Sequence, residues 1–381
     1  MISSHFYRVL LVLALTLLVN TLAFANSDAL KESSVKSLLA PHSLILDIQS
    51  IRNLVIAVGE RGFILRSTDN GNSWQQSNVP VRVTLTSSYF VNKKCGWAVG
   101  HDGVVLRTRD GGKNWQKILD GYQANQLMYQ LAKQQVTEQL SAISMATGSE
   151  RTLLEKELEK LQYDEDDALT FVEEGASRPF LDVWFKNENE GFVIGALGLF
   201  LKTSDGGDSW TSWADHIDNT DLFHLNSISK ISNKLFITGE AGTLFVSDDY
   251  GNSWNSLTSP YKGSFFGITG KNDKYLVLHG LRGNAFISFN KGASWKKIAT
   301  QSNASIYGSA LLSNDKVILV GGSGVILLLD EQGKLLSKRH NVNNLPISAV
   351  VSLPNNNMMI AGFGGIKEIS LSQSPSSESG K

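Results

Sequence analysis

The residues whose types and spacing could do chemistry are aspartates that recur at one position of an eight-residue pattern, S/T-x-D-x-G-x-S/T/N-W, first seen at residues 67–74. A carboxylate in this position can accept hydrogen bonds from nearby backbone N–H groups and hold a tight turn. The glycine allows a left-handed backbone, and the tryptophan places a large apolar ring at the start of the next strand. We therefore interpret each aspartate as a structural turn residue rather than as a catalytic group.

The copies of this pattern weaken along the chain. In the fifth copy Asn290 replaces the aspartate, and a faint sixth copy surrounds Glu331, Gly333 and Leu336. The structural positions are Asp69, Gly71, Trp74, Asp110, Gly112, Trp115, Asp205, Gly207, Trp210, Asp249, Gly251, Trp254, Gly292 and Trp295.

Other signatures of chemistry are weak. The histidines are scattered without a close pair at the spacing of metal ligands, so no metal site is expected. The repeated G-x-x-G turn lacks the Lys-Ser/Thr of a phosphate-binding loop. Lys and Arg (35) balance Asp and Glu (36), and there is no basic run, which argues against a nucleic-acid partner. We expect no cofactor.

The elements that position these residues repeat with a period of about 40 residues, which is typical of four-stranded propeller blades. The first glycines of the G-x-x-G turns are Gly59, Gly100, Gly195, Gly239, Gly280, Gly321 and Gly362. Short apolar runs separated by Gly, Asn and Asp turns surround each of them. The sequence thus predicts an all-β, seven-bladed β-propeller, with blades 1–2 in residues 26–119 and blades 3–7 in residues 179–370. The seventh unit lacks an outer strand, and we expect residues 35–40 to supply it and close the ring.

Residues 120–178 follow a different pattern. Apolar residues fall at helical spacing in two stretches separated by residues 147–149. We predict an antiparallel α-helical hairpin inserted between blades 2 and 3. Its apolar stripe could pack within the hairpin and on the propeller, or it could form a docking arm for a partner.

The two ends of the chain carry an N-terminal export signal and a Ser-rich C-terminal segment. Residues 9–19 are apolar except for Thr16, and residues 23–25 form an A-x-A cleavage signal. We expect residues 1–25 to be a cleaved signal peptide and the mature protein to be periplasmic, with an uncleaved anchor as the alternative. No cysteine follows the cleavage signal, so the sequence gives no sign of a lipid anchor. The Ser-rich residues 371–381 are predicted to be disordered.

The repeated pattern resembles the Asp-box, or BNR, repeat of sialidase-like propellers, so a sialidase-like glycosidase or a glycan-binding propeller is the alternative function. That resemblance implies an arginine cluster on the strands that line the channel, a tyrosine activated by a glutamate, and an acid/base residue. Arg82 is the main arginine on those strands, and the Arg178-Pro179 dipeptide lies away from the position of the family's Arg-x-Pro signature. We therefore expect a protein that is not an enzyme.

A narrower resemblance follows from residues 96–115, which read G-W-A-V-G-x-x-G-x-[IVL]-L-R-T-x-D-G-G-x-x-W. This pattern is similar to that of the photosystem II stability and assembly factor family. The resemblance implies a secreted or lumenal propeller that binds new membrane-protein subunits and helps to assemble them. The helical insertion departs from the photosynthetic members, so the client does not transfer with the fold.

The resemblance also implies that an arginine patch on one face recognises the client. The candidates are Arg61, Arg66, Arg107 and Arg282. We expect a monomeric scaffold whose partner is a membrane-protein subunit or complex.

Overall fold

The computed structural model describes residues 28–353 and 357–370. The predicted signal peptide and the predicted disordered tail lie outside these residues.

The chain folds into seven antiparallel sheets, six of four strands and one of three, that follow one another along the sequence. The first three sheets contain β1 (Ile45–Ile51), β2 (Leu54–Gly59), β3 (Ile64–Ser67) and β4 (Gln75–Gln76), then β5 (Leu85–Phe90), β6 (Gly96–Gly100), β7 (Val105–Thr108) and β8 (Gln116–Leu119), then β9 (Phe180–Phe185), β10 (Gly191–Gly195), β11 (Phe200–Thr203) and β12 (Thr211–Ser212). The next two contain β13 (Leu225–Ile231), β14 (Lys234–Gly239), β15 (Leu244–Ser247) and β16 (Asn255–Ser256), then β17 (Phe265–Lys271), β18 (Tyr275–Gly280), β19 (Ala285–Ser288) and β20 (Lys296–Lys297). The last two contain β21 (Ile306–Leu311), β22 (Val317–Gly321), β23 (Val325–Leu329) and β24 (Leu335–His340), then β25 (Ile347–Ser352), β26 (Met358–Gly362) and β27 (Gly365–Ile369).

Each sheet is a meander in which the second strand lies between the first and third and is almost wholly buried. In β2 every residue from Leu54 to Gly59 is buried, as expected for an apolar run covered on both faces. The first strand of each sheet contacts the first strand of the next, from β1 through β25, and β25 contacts β1. The first and last sheets are therefore neighbours, and the architecture is that of an all-β propeller.

Two long helices connect the second and third sheets in the sequence. Helix α1 (Gly121–Met145) and helix α2 (Gly148–Glu174) are joined by two residues and pack against each other. Asp120 caps α1 by accepting a hydrogen bond from the Gln123 N–H at 3.4 Å, and the Gln123 side chain bonds back to the Asp120 N–H. This capping box ends β8 and starts the helix at a defined residue.

The seventh sheet has three strands, and residues 35–40 hold no strand. The prediction that they form its outer strand is therefore wrong. Residues 34–36 instead bond at the outer edge of the first sheet: the Ser34 N–H donates to the Val79 carbonyl, and the Lys36 ammonium donates to the carbonyls of Gln76 and Ser77. The turn Ala40–His42 contacts β27, but it is not a strand.

Candidate functional site

The aspartates of the repeated pattern hold the turns between the third and fourth strands. Asp69 accepts hydrogen bonds from the Ser67 hydroxyl at 2.6 Å, from the Ser73 N–H at 3.0 Å and from the Ser73 hydroxyl at 2.6 Å. These bonds lower the pKa of Asp69 to about 2. Asp110, Asp205 and Asp249 bond in the same way. Each carboxylate therefore forms its hydrogen bonds within its own turn, and the four do not form one site.

The glycines of these turns each lie against the preceding sheet. Gly71, Gly112, Gly207, Gly251 and Gly292 all have φ between 80° and 96°. A Cβ at Gly112 would lie 2.9 Å from Ile56 in the first sheet, and one at Gly251 would lie 2.5 Å from Phe192 in the third. The turns thus need glycine for backbone conformation and for contact with the neighbouring sheet.

The tryptophans of the pattern fill the space between the sheets. Trp115 and Trp210 are 6% exposed, and Trp74, Trp254 and Trp295 are half-buried. The Trp254 ring makes edge contacts with the rings of Phe192 and Phe200 in the preceding sheet. In the sixth sheet Asp330, rather than Glu331, holds the turn, because its Oδ1 accepts the N–H groups of Gln332 and Lys334.

Two of the four candidate arginines cap the turn of the next sheet. The Arg66 Nε donates to the Gly111 carbonyl at 3.0 Å, and the Arg107 Nη1 donates to the Gly206 carbonyl at 3.1 Å. Arg107 is 9% exposed, and its Nη2 lies 2.9 Å from Asp208 Oδ1. The shared register of these residues, visible in the sequence, therefore reflects a repeated contact between sheets.

The other two candidates lie at the opposite ends of their sheets. Arg61 and Arg282 occupy the turns between second and third strands, with φ of 55° in each case, and both side chains are exposed. Because the strands are antiparallel, this end is separated from the end that carries Arg66 and Arg107 by the length of the third strand. The structure therefore does not bring the four arginines into one patch, and it leaves Arg61 and Arg282 on one face but in different sheets.

The helical hairpin lies on the same face as Arg61 and Arg282. Helix α1 contacts the turn His101–Gly103, the equivalent turn of the second sheet. A Cβ at Gly103 would lie 2.5 Å from the Gly121 Cα, so the base of the hairpin sits directly on that turn.

Arg178 anchors the other end of the hairpin. It is 4% exposed, its guanidinium bonds to Asn125 Oδ1 at 2.7 Å, and it lies 3.9 Å over the Phe171 ring. Burial lowers the pKa of Arg178 to about 10. Arg178, which the sequence analysis compared with the Arg-x-Pro signature, thus belongs to the packing of the hairpin. Its partner Asn125 could not be identified from the sequence.

The first strands line a central cavity of about 630 Å³. No arginine lines it among residues 28–353 and 357–370, and Lys230 supplies a single ammonium group. Arg82, the arginine that was predicted on the lining strands, lies before β5 and pairs with Glu32 of the N-terminal segment. The cavity therefore lacks the arginine cluster that would clamp the carboxylate of a sialoside.

The sequence predictions did not include two half-buried carboxylates of this cavity. The Asp47 carboxylate bonds to Ser88, and the Asp182 carboxylate bonds to the Ser87 hydroxyl at 2.7 Å and to the Ile228 N–H at 2.8 Å. Burial raises the pKa of both, that of Asp47 to about 6. The signal available was an aspartate between apolar residues of an inner strand. Each of them links its sheet to a neighbouring one.

Neither a metal centre nor a membrane span is found in the part of the chain that the structure describes. No three His, Cys, Asp or Glu side chains there could together hold a metal ion. The helices of that part are not long and apolar enough to cross a bilayer.

Comparison with known proteins gives the same fold in several solved structures. A structure of YCF48 bound to D1 peptide matches with a TM-score of 0.56 and 16% identity, over 85% of this chain and 92% of that chain. YCF48 from Cyanidioschyzon merolae matches with a TM-score of 0.57 and 16% identity, over 85% and 94%. The WD40 β-propeller domain of Doa1 matches with a TM-score of 0.57 at 11% identity, over 91% and 97%. At these identities the likeness establishes the propeller fold.

Sequence comparison establishes the family. The photosystem II assembly lipoprotein Ycf48 of Synechococcus sp. (strain CC9902) is 32% identical over 77 residues, which cover 20% of this chain and 23% of the relative. The chain spans less than a quarter of the length of this curated relative. The profile of the family described as photosynthesis system II assembly factor YCF48 matches residues 33–135 and 165–310, more than half of the chain. The protein therefore belongs to the YCF48 assembly factor family.

Proposed function

We propose that the seven sheets are the blades of a closed seven-bladed propeller and that residues 120–178 are a helical hairpin inserted between blades 2 and 3. The contact between β25 and β1 supports closure of the ring. The position of α1 and α2 between β8 and β9 supports the insertion. Blades 1–2 then occupy residues 26–119, and blades 3–7 occupy residues 179–370.

This propeller acts outside the cytoplasm as a monomeric scaffold. The apolar residues 9–19 and the A-x-A signal support export by a cleaved signal peptide. The name of the Synechococcus relative, an assembly lipoprotein, agrees with export. In a bacterium with two membranes the mature chain would then reach the periplasm.

Its function is to bind a membrane-protein subunit during assembly of a complex. The family profile match over residues 33–135 and 165–310 is the observation that carries this proposal. The YCF48 structure with a D1 peptide supports recognition of an exposed segment of such a subunit. The protein performs no catalysis, and the cavity without arginine supports this part of the proposal.

The exposed arginines of the turns between second and third strands are the proposed contacts for the client. Arg61 and Arg282 lie on the face that also carries the hairpin, and neither guanidinium forms an ion pair with a described residue. Arg66 and Arg107 are committed to contacts between sheets. We therefore restrict the proposed client surface to the first pair.

Capture of a client from detergent-solubilised membranes of the host tests this function. The mature chain carrying Arg61→Glu and Arg282→Glu should recover at least tenfold less of a specific membrane subunit than the unmodified chain. Arg52→Glu is the matched control, because Arg52 is exposed and has φ of 58° in the turn at the other end of β2. Equal recovery by all variants would refute the arginine surface. Hydrolysis of a fluorogenic sialoside by the pure protein would refute the non-catalytic role.

A further inference from the structure

A groove of about 280 Å³ runs between the helical hairpin and the third sheet, and we call it the hairpin groove. Its floor is apolar. The floor side chains come from both helices and from the segment after β12: Met128, Leu131, Ala132, Leu161, Ala168, Phe171, Ile217 and Leu222. The lining on α2 extends from Glu157 to Phe171, a helical length of about 21 Å.

The rim of the hairpin groove is acidic. Glu157, Asp164 and Asp167 line it from α2, and Asp215 lines it from the opposite wall. Two cationic residues, Lys160 and Arg178, also line the groove, so its four carboxylates outnumber them. Of the residues that the structure describes, none forms an ion pair with the three carboxylates of α2. Burial raises the pKa of Asp164, and the charges of Asp167 and Glu157 raise it further, although Lys160 opposes them. This excess of carboxylates gives the groove a net negative charge around an apolar floor.

These features specify the chemistry of an occupant. An apolar floor between two helices accepts side chains of an amphipathic helix, which is a common mode of peptide recognition. Lysines or arginines beside its apolar stripe would meet the acidic rim, whereas acidic residues would be repelled. The same negative charge opposes binding to an anionic membrane surface.

We propose that the hairpin groove binds a basic amphipathic helix of a partner protein. Apolar side chains of that helix enter the groove, and its cationic side chains pair with Glu157, Asp164 and Asp167. The proposal rests on the protein-binding role given above, and it assigns to the insertion a binding site separate from Arg61 and Arg282.

The test measures binding of a fluorescein-labelled helical peptide of about 18 leucine and lysine residues, long enough to cover the groove. Its partner peptide has glutamate at every lysine position. The intact mature chain should bind the lysine peptide, with an affinity that falls as salt rises, and should bind the glutamate peptide at least tenfold more weakly. Fluorescence anisotropy gives both dissociation constants.

Variants with matched controls locate the site. The triple change Glu157→Gln, Asp164→Asn and Asp167→Asn should weaken binding roughly tenfold, because three charge pairs are lost. The control triple of Glu159→Gln, Asp166→Asn and Glu173→Gln removes the same charge from exposed residues of α2 outside the groove. It should change binding less than threefold.

A second pair of variants tests the apolar floor. Leu131→Gln lies in the groove, whereas Leu140→Gln changes a leucine of the same helix that is 49% exposed. The first should weaken binding of the lysine peptide several-fold, and the second should leave it unchanged. Circular dichroism shows whether each variant keeps its helices.

Two results would overturn the proposal. One is equal loss of binding in the groove variants and in their controls. The other is binding to vesicles rich in phosphatidylglycerol without binding to the lysine peptide, which would assign the hairpin to a membrane surface. Failure of client capture with intact peptide binding would refute the assembly role and leave the groove in place.

Discussion

The carboxylate of Asp47 accepts two hydrogen bonds from Ser88, one from the backbone N–H at 2.9 Å and one from the hydroxyl at 3.2 Å. The two residues belong to the inner strands of the first and second sheets. Burial, together with the charge of Asp182, raises the pKa of Asp47 to about 6. An ionisable group thus joins two neighbouring sheets in a place where its charge is costly.

The raised pKa of Asp47 predicts a pH-dependent gain from Asp47→Asn. Its contribution to stability is fully present below the pKa of the unfolded chain, about 3.9, and is lost as pH rises through 6. At pH 8 the variant should gain about 1–3 kcal/mol in the free energy of unfolding, and at pH 4 it should gain nothing. Urea denaturation at the two pH values measures the difference.

Asp166→Asn is the control for this experiment, since Asp166 is exposed on α2. Its effect on the free energy of unfolding should be small at both pH values. An identical effect of Asp47→Asn at pH 4 and pH 8 would contradict the assignment of the raised pKa.

Asn290, which replaces the aspartate in the fifth copy of the pattern, indicates how the fourth copy should tolerate asparagine at Asp249. Asn290 accepts the Ser294 N–H at 2.9 Å, as Asp249 accepts the Ser253 N–H at 2.9 Å. Asp249→Asn keeps this acceptor but loses the charge, so it should lower the free energy of unfolding by less than Asp249→Ala does, which is about 1 kcal/mol. Denaturant titration of both variants checks this order.

The pH dependence of the Asp249 variants provides a second measurement. Although burial raises the pKa of Asp249, hydrogen bonds from the Ser253 and Ser247 side chains and from the Ser253 N–H lower it to about 2. Stability from this group is present above about pH 4 and is lost as pH falls toward 2. Asp249→Asn should remove this dependence, and an unchanged acid profile would count against it.

We expect a side chain to be poorly tolerated at Gly207. Its φ is 96°, and a Cβ would lie 2.4 Å from Ile118 in the preceding sheet. Gly207→Ala should cost about 2 kcal/mol in the free energy of unfolding, because the left-handed backbone is strained and the ends of the Ile118 and Trp210 side chains must move. Gly148 also has a left-handed backbone, with φ of 61°, but nothing lies within 4 Å of a Cβ there.

Gly148→Ala therefore isolates the backbone cost, about 1 kcal/mol. Thermal unfolding of the two variants should show a clearly larger fall in Tm for Gly207→Ala. Similar falls would show that the turn does not press on the preceding sheet.

Arg107 predicts a loss of stability without a loss of client binding. Arg107→Ala removes the bonds to Gly206 and Asp208 of the next sheet and should cost about 2 kcal/mol in the free energy of unfolding. Arg109→Ala changes an exposed arginine two residues away and should have an effect within about 0.5 kcal/mol. Urea denaturation measures both, and client capture by the folded Arg107→Ala protein should be unchanged. If the folded Arg107→Ala protein captured less client, Arg107 would have to be included in the client-binding surface.

The period of the repeat made the propeller predictable. The Asp-Gly-Trp turns act within a few residues of sequence, so Asp69 and Gly71 could be assigned structural roles from the pattern. The two stretches at helical spacing were enough to predict the helical hairpin. The YCF48 family could also be suspected, because residues 96–115 carry its pattern on one continuous stretch.

Only the tertiary structure decided which residues meet across sheets. The shared register of Arg66 and Arg107 is visible in the sequence, but their acceptors at Gly111 and Gly206 lie in the next sheet. Contacts at such separation depend on how strands stack around the ring, and no local pattern encodes them. The same reason explains why residues 35–40 were expected on the seventh sheet, although residues 35–37 bond to Gln76 of the first. The acidic hairpin groove also arises only where the insertion packs on the third sheet, since its two walls are far apart in the sequence.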